Sequence, residues 1–251
     1  QIGLIIFRQI GHFHKANIAR NPLQKKPQDQ SKAMTTDLQK TDRSRLRRSH
    51  NRGHFDRDTV NAILDAQPMC TVGYVIDGKP YVTPTLQWRE GNTVYWHGSS
   101  ASRALKKSRD AEVCLSVAIL DGFVMARSGM HHSLNTRSVT LFGTARQVSH
   151  EEKEEKLCNF IDHLFPGRSE ILRPNSEQER KATMILALDI EEGSAKIRTG
   201  PPADDEEDYE LPIWAGVIPV TTTIGAPIDD PRNLDGLTAP DHVTGFKYGK
   251  N

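Results

Sequence analysis

The stretch Trp96-His97-Gly98-Ser99-Ser100-Ala101-Ser102-Arg103 packs the most chemistry into the fewest residues of this chain. An apolar strand ends there, and small hydroxyl residues open a helix with an arginine in its first turns. The first backbone N–H groups of a helix lack internal partners and carry the positive end of its dipole. Hydroxyls and a cation beside them make a cradle for phosphate. The spacing therefore points to a phosphorylated ligand rather than to a bare core. His97 at the strand end has two readings, a proton donor near a substrate or a hydrogen-bonded structural residue.

Other candidates lie further along. Arg137 and Ser138 start a strand. Lys196 and Arg198 alternate on one strand face, as period-2 geometry dictates, and fit either a ligand contact or an exposed basic face. Trp214, between Pro212 and Gly216 in a charged region, needs burial. His131-His132 invites a metal, but adjacent side chains on an extended segment point opposite ways and no third ligand is in view, so no metal site is expected. There is no Ser-His-Asp, catalytic cysteine or paired-carboxylate pattern.

The elements that must hold these residues follow from periodicity and turn signals. Asp56 or Asp58 can cap a helix running to about Ala66, with Val60, Ile63 and Leu64 on one face. Cys70 to Ile76 reads as a strand, Asp77-Gly78 as a tight turn, and Tyr81 to Trp88 as the return strand, where Pro84 marks an edge or bulge. After a turn at residues 89–92, Thr93 to His97 is a third strand. A helix over 100–109 and strands over 112–119 and 138–148 follow. His150 to Leu164 is an amphipathic helix with Leu157, Phe160, Ile161 and Leu164 inward, and residues 175–182 form a short helix. Thr183–Ile190 and Ala195–Arg198 read as two antiparallel strands joined at Glu192-Gly193. Asp204 to Glu210 reads as a solvated acidic linker, and Ile213 to Pro219 as a last ordered piece. Short strands at hairpin spacing with few helices between them predict a small antiparallel barrel.

Composition bounds the rest. The chain has 251 residues, a net charge of +1, 36% hydrophobic and 26% charged residues. Near neutrality, with no aromatic residues interleaving the arginines of the basic 35–54 arm, argues against nucleic acid. No apolar run approaches the roughly 20 residues that span a bilayer. Cys70, Cys114 and Cys158 fit neither a disulfide framework nor a zinc spacing, which suits a reducing cytoplasm. Met34 reads as the natural start. Residues 1–42 are expected as a disordered or non-native extension, 43–220 as one domain, and 221–251 as an irregular tail.

Six stretches in order carry a resemblance. They are Asp77-Gly78-Lys79-Pro80-Tyr81-Val82-Thr83-Pro84-Thr85, Trp96-His97-Gly98-Ser99, Asp121 to Arg127, His132 to Val139, Ala195 to Pro201, and Trp214-Ala215-Gly216-Val217. Together they resemble the pyridoxamine 5′-phosphate oxidase-like superfamily, and within it the flavin-nucleotide-binding branch that includes nitroimidazole-resistance proteins. The resemblance implies a mainly β fold with flanking helices, a six-stranded antiparallel split barrel that binds FMN. It implies a homodimer with FMN in the groove between the chains. Val82, Thr83, Pro84, Thr85 and Gln87 would run beside the flavin ring, with Trp96, His97 and Gly98 at the end of the next strand. Ser99, Ser102 and Arg103 would meet the phosphate. Arg137, Ser138, Lys196, Arg198 and Trp214 complete the implied cofactor contacts, and His97 is the implied proton donor.

Two departures matter. Thr83 and Trp88 stand where the oxidases carry phosphate-gripping cations, and Gly216-Val217-Ile218-Pro219 replaces their substrate-gripping Arg-Leu-Ala-Pro. Pyridoxamine phosphate is therefore not the expected substrate. The implied activity is an FMN-dependent oxidoreductase acting on a small organic acceptor such as a nitro compound or quinone. A flavin carrier or sensor without turnover, and a haem-binding barrel with His97 or His132 as axial ligand, remain open beside it.

Overall fold

The computed structural model describes residues 37–247. The expectations for residues 1–36, including the start at Met34, and for 248–251 lie outside the described residues. Ten strands make up the sheet: β1 (Gly53–His54), β2 (Met69–Ile76), β3 (Lys79–Glu90), β4 (Thr93–Ser99), β5 (Glu112–Met125), β6 (Ser133–Thr144), β7 (Arg146–Gln147), β8 (Thr183–Asp189), β9 (Glu192–Arg198) and β10 (Gly216–Pro219). Their order is β1-β9-β6-β5-β2-β3-β4-β8-β7, with β10 on β5. Five helices flank it: α1 (Arg57–Ala66), α2 (Arg103–Ser108), α3 (Lys153–Leu164), α4 (Glu177–Ala182) and α5 (Asp241–Thr244). The fold is an antiparallel split barrel with more strands than the six expected, because short edge pieces add to the long ones. No helix among the described residues is long and apolar enough to cross a membrane.

Local chemistry explains the parts that position the site. Asp77 and Gly78 both take positive φ, 52° and 74°, as a two-residue hairpin turn demands. The turn fixes Ile76 opposite Lys79 and carries that register to Met69 opposite Leu86. Along β2, Cys70, Val72, Tyr74 and Ile76 alternate inward. Asp56 caps α1 by accepting from the Thr59 amide at 2.8 Å, and Val60, Ile63 and Leu64 seat that helix on the core. Pro84 is tolerated because only β2 pairs with it; β4 joins β3 from Gln87 onward. A smaller core of Trp88, Tyr95, Phe160, Ile185 and Ala187 lies beneath α3.

The sheet corrects several boundaries and one pairing. Helix α2 starts at Arg103 rather than 100, because Ser102 serves as its N-cap. Strand β5 runs on to Met125 through an irregularity at Leu120/Gly122, and β6 begins at Ser133. The expected hairpin of residues 183–198 does not form. Instead β8 pairs with β4 and β7, and β9 with β6 and β1. The reason is burial: Met184 to Leu188 are all inward, a pattern that suits a strand covered on both faces. The chain crosses between sheets just after β8, and Gly193 permits the landing. A Cβ at Gly193 would meet the Thr140 carbonyl oxygen at 2.5 Å and Leu141 at 2.8 Å. Gly193→Ala is therefore expected to cost about 1–3 kcal/mol of stability. An unchanged denaturant midpoint would show that the β6–β9 contact yields freely.

The acidic segment is anchored rather than merely solvated. The Asp204 side chain is fully buried and accepts from the Arg127 backbone amide at 3.0 Å and from its guanidinium at 2.9 Å. The ordered body also reaches back before residue 43. Leu38 is buried, and its amide donates to the Phe55 carbonyl at 2.7 Å. Arg43 of the basic arm pairs with Glu112 at 2.9 Å and Glu192 at 2.6 Å, so that arm is partly docked.

Candidate functional site

The end of β4 and the start of α2 enclose a cavity of about 130 Å3. Seven expected residues meet there: Thr83, Thr85, Trp96, His97, Gly98, Ser99 and Ser102. The turn is held from both sides. Ser99 Oγ accepts from the Ala101 amide at 3.2 Å, and Ser102 Oγ accepts from the Leu105 amide at 3.4 Å. Tyr74 and Ser108 also line the cavity and were not anticipated. Tyr74 was legible as an inward residue of β2. Its hydroxyl lies 2.9 Å from Thr83 Oγ1, and its ring stacks on Tyr81 at 5.7 Å. The Arg103 guanidinium sits over the Tyr81 ring, 5.6 Å from its centroid. A cation is thus fixed beside a hydroxyl-lined turn, an arrangement that can receive an anionic oxygen.

The other predicted residues lie elsewhere, Val82 and Pro84 by period-2 geometry. Val82 is 69% exposed on the opposite face of β3 from Thr83, and Pro84 is exposed with it. Gln87 is wholly buried and donates to the carbonyls of Leu64 at 2.7 Å and Gln67 at 2.9 Å. It closes the end of α1 instead of facing the cavity. Arg137, Ser138, Lys196, Arg198 and Trp214 do not reach the cavity; they belong to β6, β9 and the approach to β10. Arg137 is committed to Asp121 by two bonds of 2.9 and 2.8 Å. Trp214 is 68% exposed, so the burial expected of it is not supplied within one chain.

His97 is the most distinctive member. Its ring lies 4.6 Å from Phe160 and 5.9 Å from Trp88, and its Nδ1 is buried without a hydrogen-bond partner. Burial pushes its pKa below the ordinary 6.5, so the ring is neutral at physiological pH. A neutral imidazole is a weak proton donor, which counts against the acid role expected for it. The same neutral ring offers a free lone pair, the form in which histidine binds metals. His97 also lines a second cavity of about 370 Å3, walled by Leu157, Phe160 and Ile161 of α3 and by Leu172. The inward stripe of α3 was legible; that it closes over His97 was not.

His132 is exposed, with Nδ1 2.9 Å from the Ser128 carbonyl. His131 points elsewhere, and its ligand atom lies within 4.8 Å of carboxylate oxygens of Asp205 and Asp208. The further ligands missing from the sequence argument thus arrive from far along the chain. Exposed acids meeting a histidine are common without an ion, and no metal is assigned to them.

Barrel topology, a hydroxyl-lined strand-to-helix turn and a flanking cation together define the class of split-barrel cofactor-binding domains. The chain belongs to the pyridoxamine 5′-phosphate oxidase family, whose model matches residues 56–197. It is similar to the flavocytochrome Anf3 from Azotobacter vinelandii, with 48% identity over 83% of this chain and 98% of that one, and a TM-score of 0.81. It is also similar to the FAD and haem binding protein from Mycobacterium smegmatis, with 36% identity over 79% and 98% of the two chains and a TM-score of 0.76. A weaker likeness, 19% identity with a TM-score of 0.47 over 58% and 86%, is to a 5-nitroimidazole antibiotic resistance protein from Bacteroides thetaiotaomicron. No curated protein matches the sequence.

Proposed function

We propose that this chain is a homodimeric flavin- and haem-binding oxidoreductase. The observation that carries the reading is His97, a neutral, unpartnered imidazole in the wall shared by two cavities. The first cavity suits a flavin. Thr83, Thr85, Ser99 and Ser102 supply hydroxyls, Trp96 supplies an apolar wall, and Arg103 supplies the charge for a phosphate. The second, larger cavity, with Leu157, Phe160, Ile161 and Leu172 on its walls and Arg173 and Asn175 at its edge, would hold a haem through the His97 imidazole. The similarity to a flavocytochrome and to a protein named for FAD and haem moves the reading from FMN alone to FAD with haem.

The bound cofactors supply the electron transfer, which side chains alone do not provide. The protein's contribution is placement and shielding. Hydroxyls orient the phosphate end, and Trp88, Phe160 and Leu157 keep water from one side of the His97 ring. At about 130 Å3 the first cavity is smaller than the ~300–1,000 Å3 of ordinary small-molecule sites. That shortfall supports a second copy completing the site, and Arg137, Ser138 and the exposed Trp214 are the residues proposed to close it from the partner side. A small organic acceptor remains the proposed electron sink.

The test is reconstitution of the full chain with FAD, FMN and haem, followed by absorption spectra and thermal melts. Flavin absorption that co-purifies with a dimer, a Soret band on haem addition, and a raised melting temperature with each cofactor are expected. A monomer that takes up neither cofactor at saturating concentration sinks the reading.

A further inference from the structure

Beyond β10 the chain leaves its own barrel and then returns to it. The Val220 amide donates to the Asp121 carbonyl at 3.0 Å, continuing the pairing of Pro219 with Gly122. At the far end the Phe246 ring lies 5.2 Å from Phe165, just past α3, and Arg168 Nη1 donates to His242 Nε2 of α5 at 3.4 Å. Between these anchors every residue from 221 to 238 is exposed. Among the described residues the hydrogen bonds of that segment are local. The Asn233 amide donates to the Asp230 carbonyl at 2.9 Å, and the Leu237 amide to the Leu234 carbonyl at 3.2 Å. The segment is a strap tied at both ends, with no residue buried against its own barrel.

Its composition is unlike that of a solvated linker, which is poor in large apolar residues. Ile224, Ile228, Leu234 and Leu237 are all exposed, Ile228 to 96% and Leu234 to 77%. Aliphatic side chains left in water do nothing to offset the entropy lost in holding a chain extended. Pro227 and Pro231 pre-set an extended backbone and reduce that loss on docking. They also remove amide donors, so the strap docks through side chains rather than as a further strand.

Its position points to what it covers. The strap grows out of β10, where Ile218 stands in line with Phe123 on β5 and Leu134 on β6, all three exposed. Trp214, proposed above to meet a second copy, lies just before the same strand. Four side chains are small against the roughly 800 Å2 that each partner buries in a stable interface. A strap from each copy laid across the other enlarges that area on both sides, because two-fold symmetry makes every such contact occur twice.

We propose that residues 221–238 form an exchanged strap: Ile224, Ile228, Leu234 and Leu237 of one protomer pack on a second copy of this chain, beside the Phe123–Leu134–Ile218 row. The inference rests on the dimer of the reading above and not on its cofactors.

The full chain and its Ile228→Asp, Leu234→Asp and Ile228→Leu variants are compared by sedimentation velocity over a dilution series. Each aspartate raises the dimer dissociation constant by about a hundredfold or more, since it enters the interface twice. Ile228→Leu keeps the parent's value. The melting temperature of the diluted monomer is the same in all four, because both positions already lie in water within one chain. Limited trypsin digestion reads the coverage directly. Arg232, whose side chain is 90% exposed in one chain, is cut slowly in the parent dimer and quickly once Phe123→Asp separates the protomers. An Ile228→Asp dimer as tight as the parent's overturns the strap and leaves the dimer standing. So does equal cutting at Arg232 in dimer and monomer. A monomeric parent overturns both. A dimer that Ile228→Asp weakens but that takes up neither flavin nor haem sinks the cofactor reading alone and upholds the strap.

Discussion

Replacing His97 with alanine abolishes haem binding and leaves the barrel folded. The ring sits between Trp88 and Phe160 and makes no hydrogen bond, so its removal costs packing alone, about 1–2 kcal/mol. On the proposed reading His97 would be the residue that holds the haem, so the Soret band disappears at haem concentrations that saturate the parent. Added imidazole restores the band, because the hole left behind has the shape of the missing ring. His132→Ala is the control: that ring is exposed and turned to the Ser128 carbonyl, and haem uptake is unchanged. The pH response follows from the same burial. Because the folded pKa of His97 lies below 6.5, the lone pair stays available as pH falls from 7.5 to about 6.5, and haem affinity declines only below the lowered value. An exposed histidine loses affinity earlier. Retention of the Soret band in His97→Ala, or its loss in His132→Ala, refutes the assignment.

The sequence was most readable where one local rule decides the outcome. Asp77-Gly78 demanded two positive φ angles and therefore a hairpin. Of the two acids offered as a cap, Asp56 is the one that caps α1, and Gly98, Ser99 and Ser102 of the small-residue run line the cavity. Even the division of the β3 candidates was available in principle, since Thr83 and Thr85 share a face that Val82 and Pro84 cannot. What was not readable depends on partners distant in sequence. Gln87 looks like a strand polar group until α1 ends beside it with carbonyls to satisfy. Glu192-Gly193 looks like a turn until the buried run Met184–Leu188 is seen to need neighbours on both sides. Asp204 looks solvated until Arg127 closes over it. The surroundings of His97 are hidden for the same reason: the Phe160 and Trp88 rings packed against it come from other elements, and no spacing around His97 announces them.

Phe123→Asp makes the chain monomeric and strips it of flavin. Leu134 on β6, Phe123 on β5 and Ile218 on β10 stand in register across three neighbouring strands. They are 44%, 46% and 50% exposed. Three large apolar side chains in one row, with Trp214 68% exposed just before β10, form the kind of exposed apolar patch that marks an interaction surface. In a two-fold dimer the substituted residue enters the interface twice, once from each chain. Each buried, unpaired carboxylate costs several kcal/mol, so the dimer dissociation constant rises by about a thousandfold or more. Within one protomer Phe123 is half in water already, so the monomer's own stability changes little. On the proposed dimer, flavin is lost because the small cavity beside Ser99 and Ser102 would no longer have a second wall, not because any residue lining it has changed. Haem bound through His97 persists, since the α3 cavity is built within a single chain. Sedimentation velocity and absorption spectra on the same sample separate these outcomes. A Phe123→Asp protein that stays dimeric, or a monomer that still holds flavin at the parent's affinity, would place the interface or the flavin elsewhere.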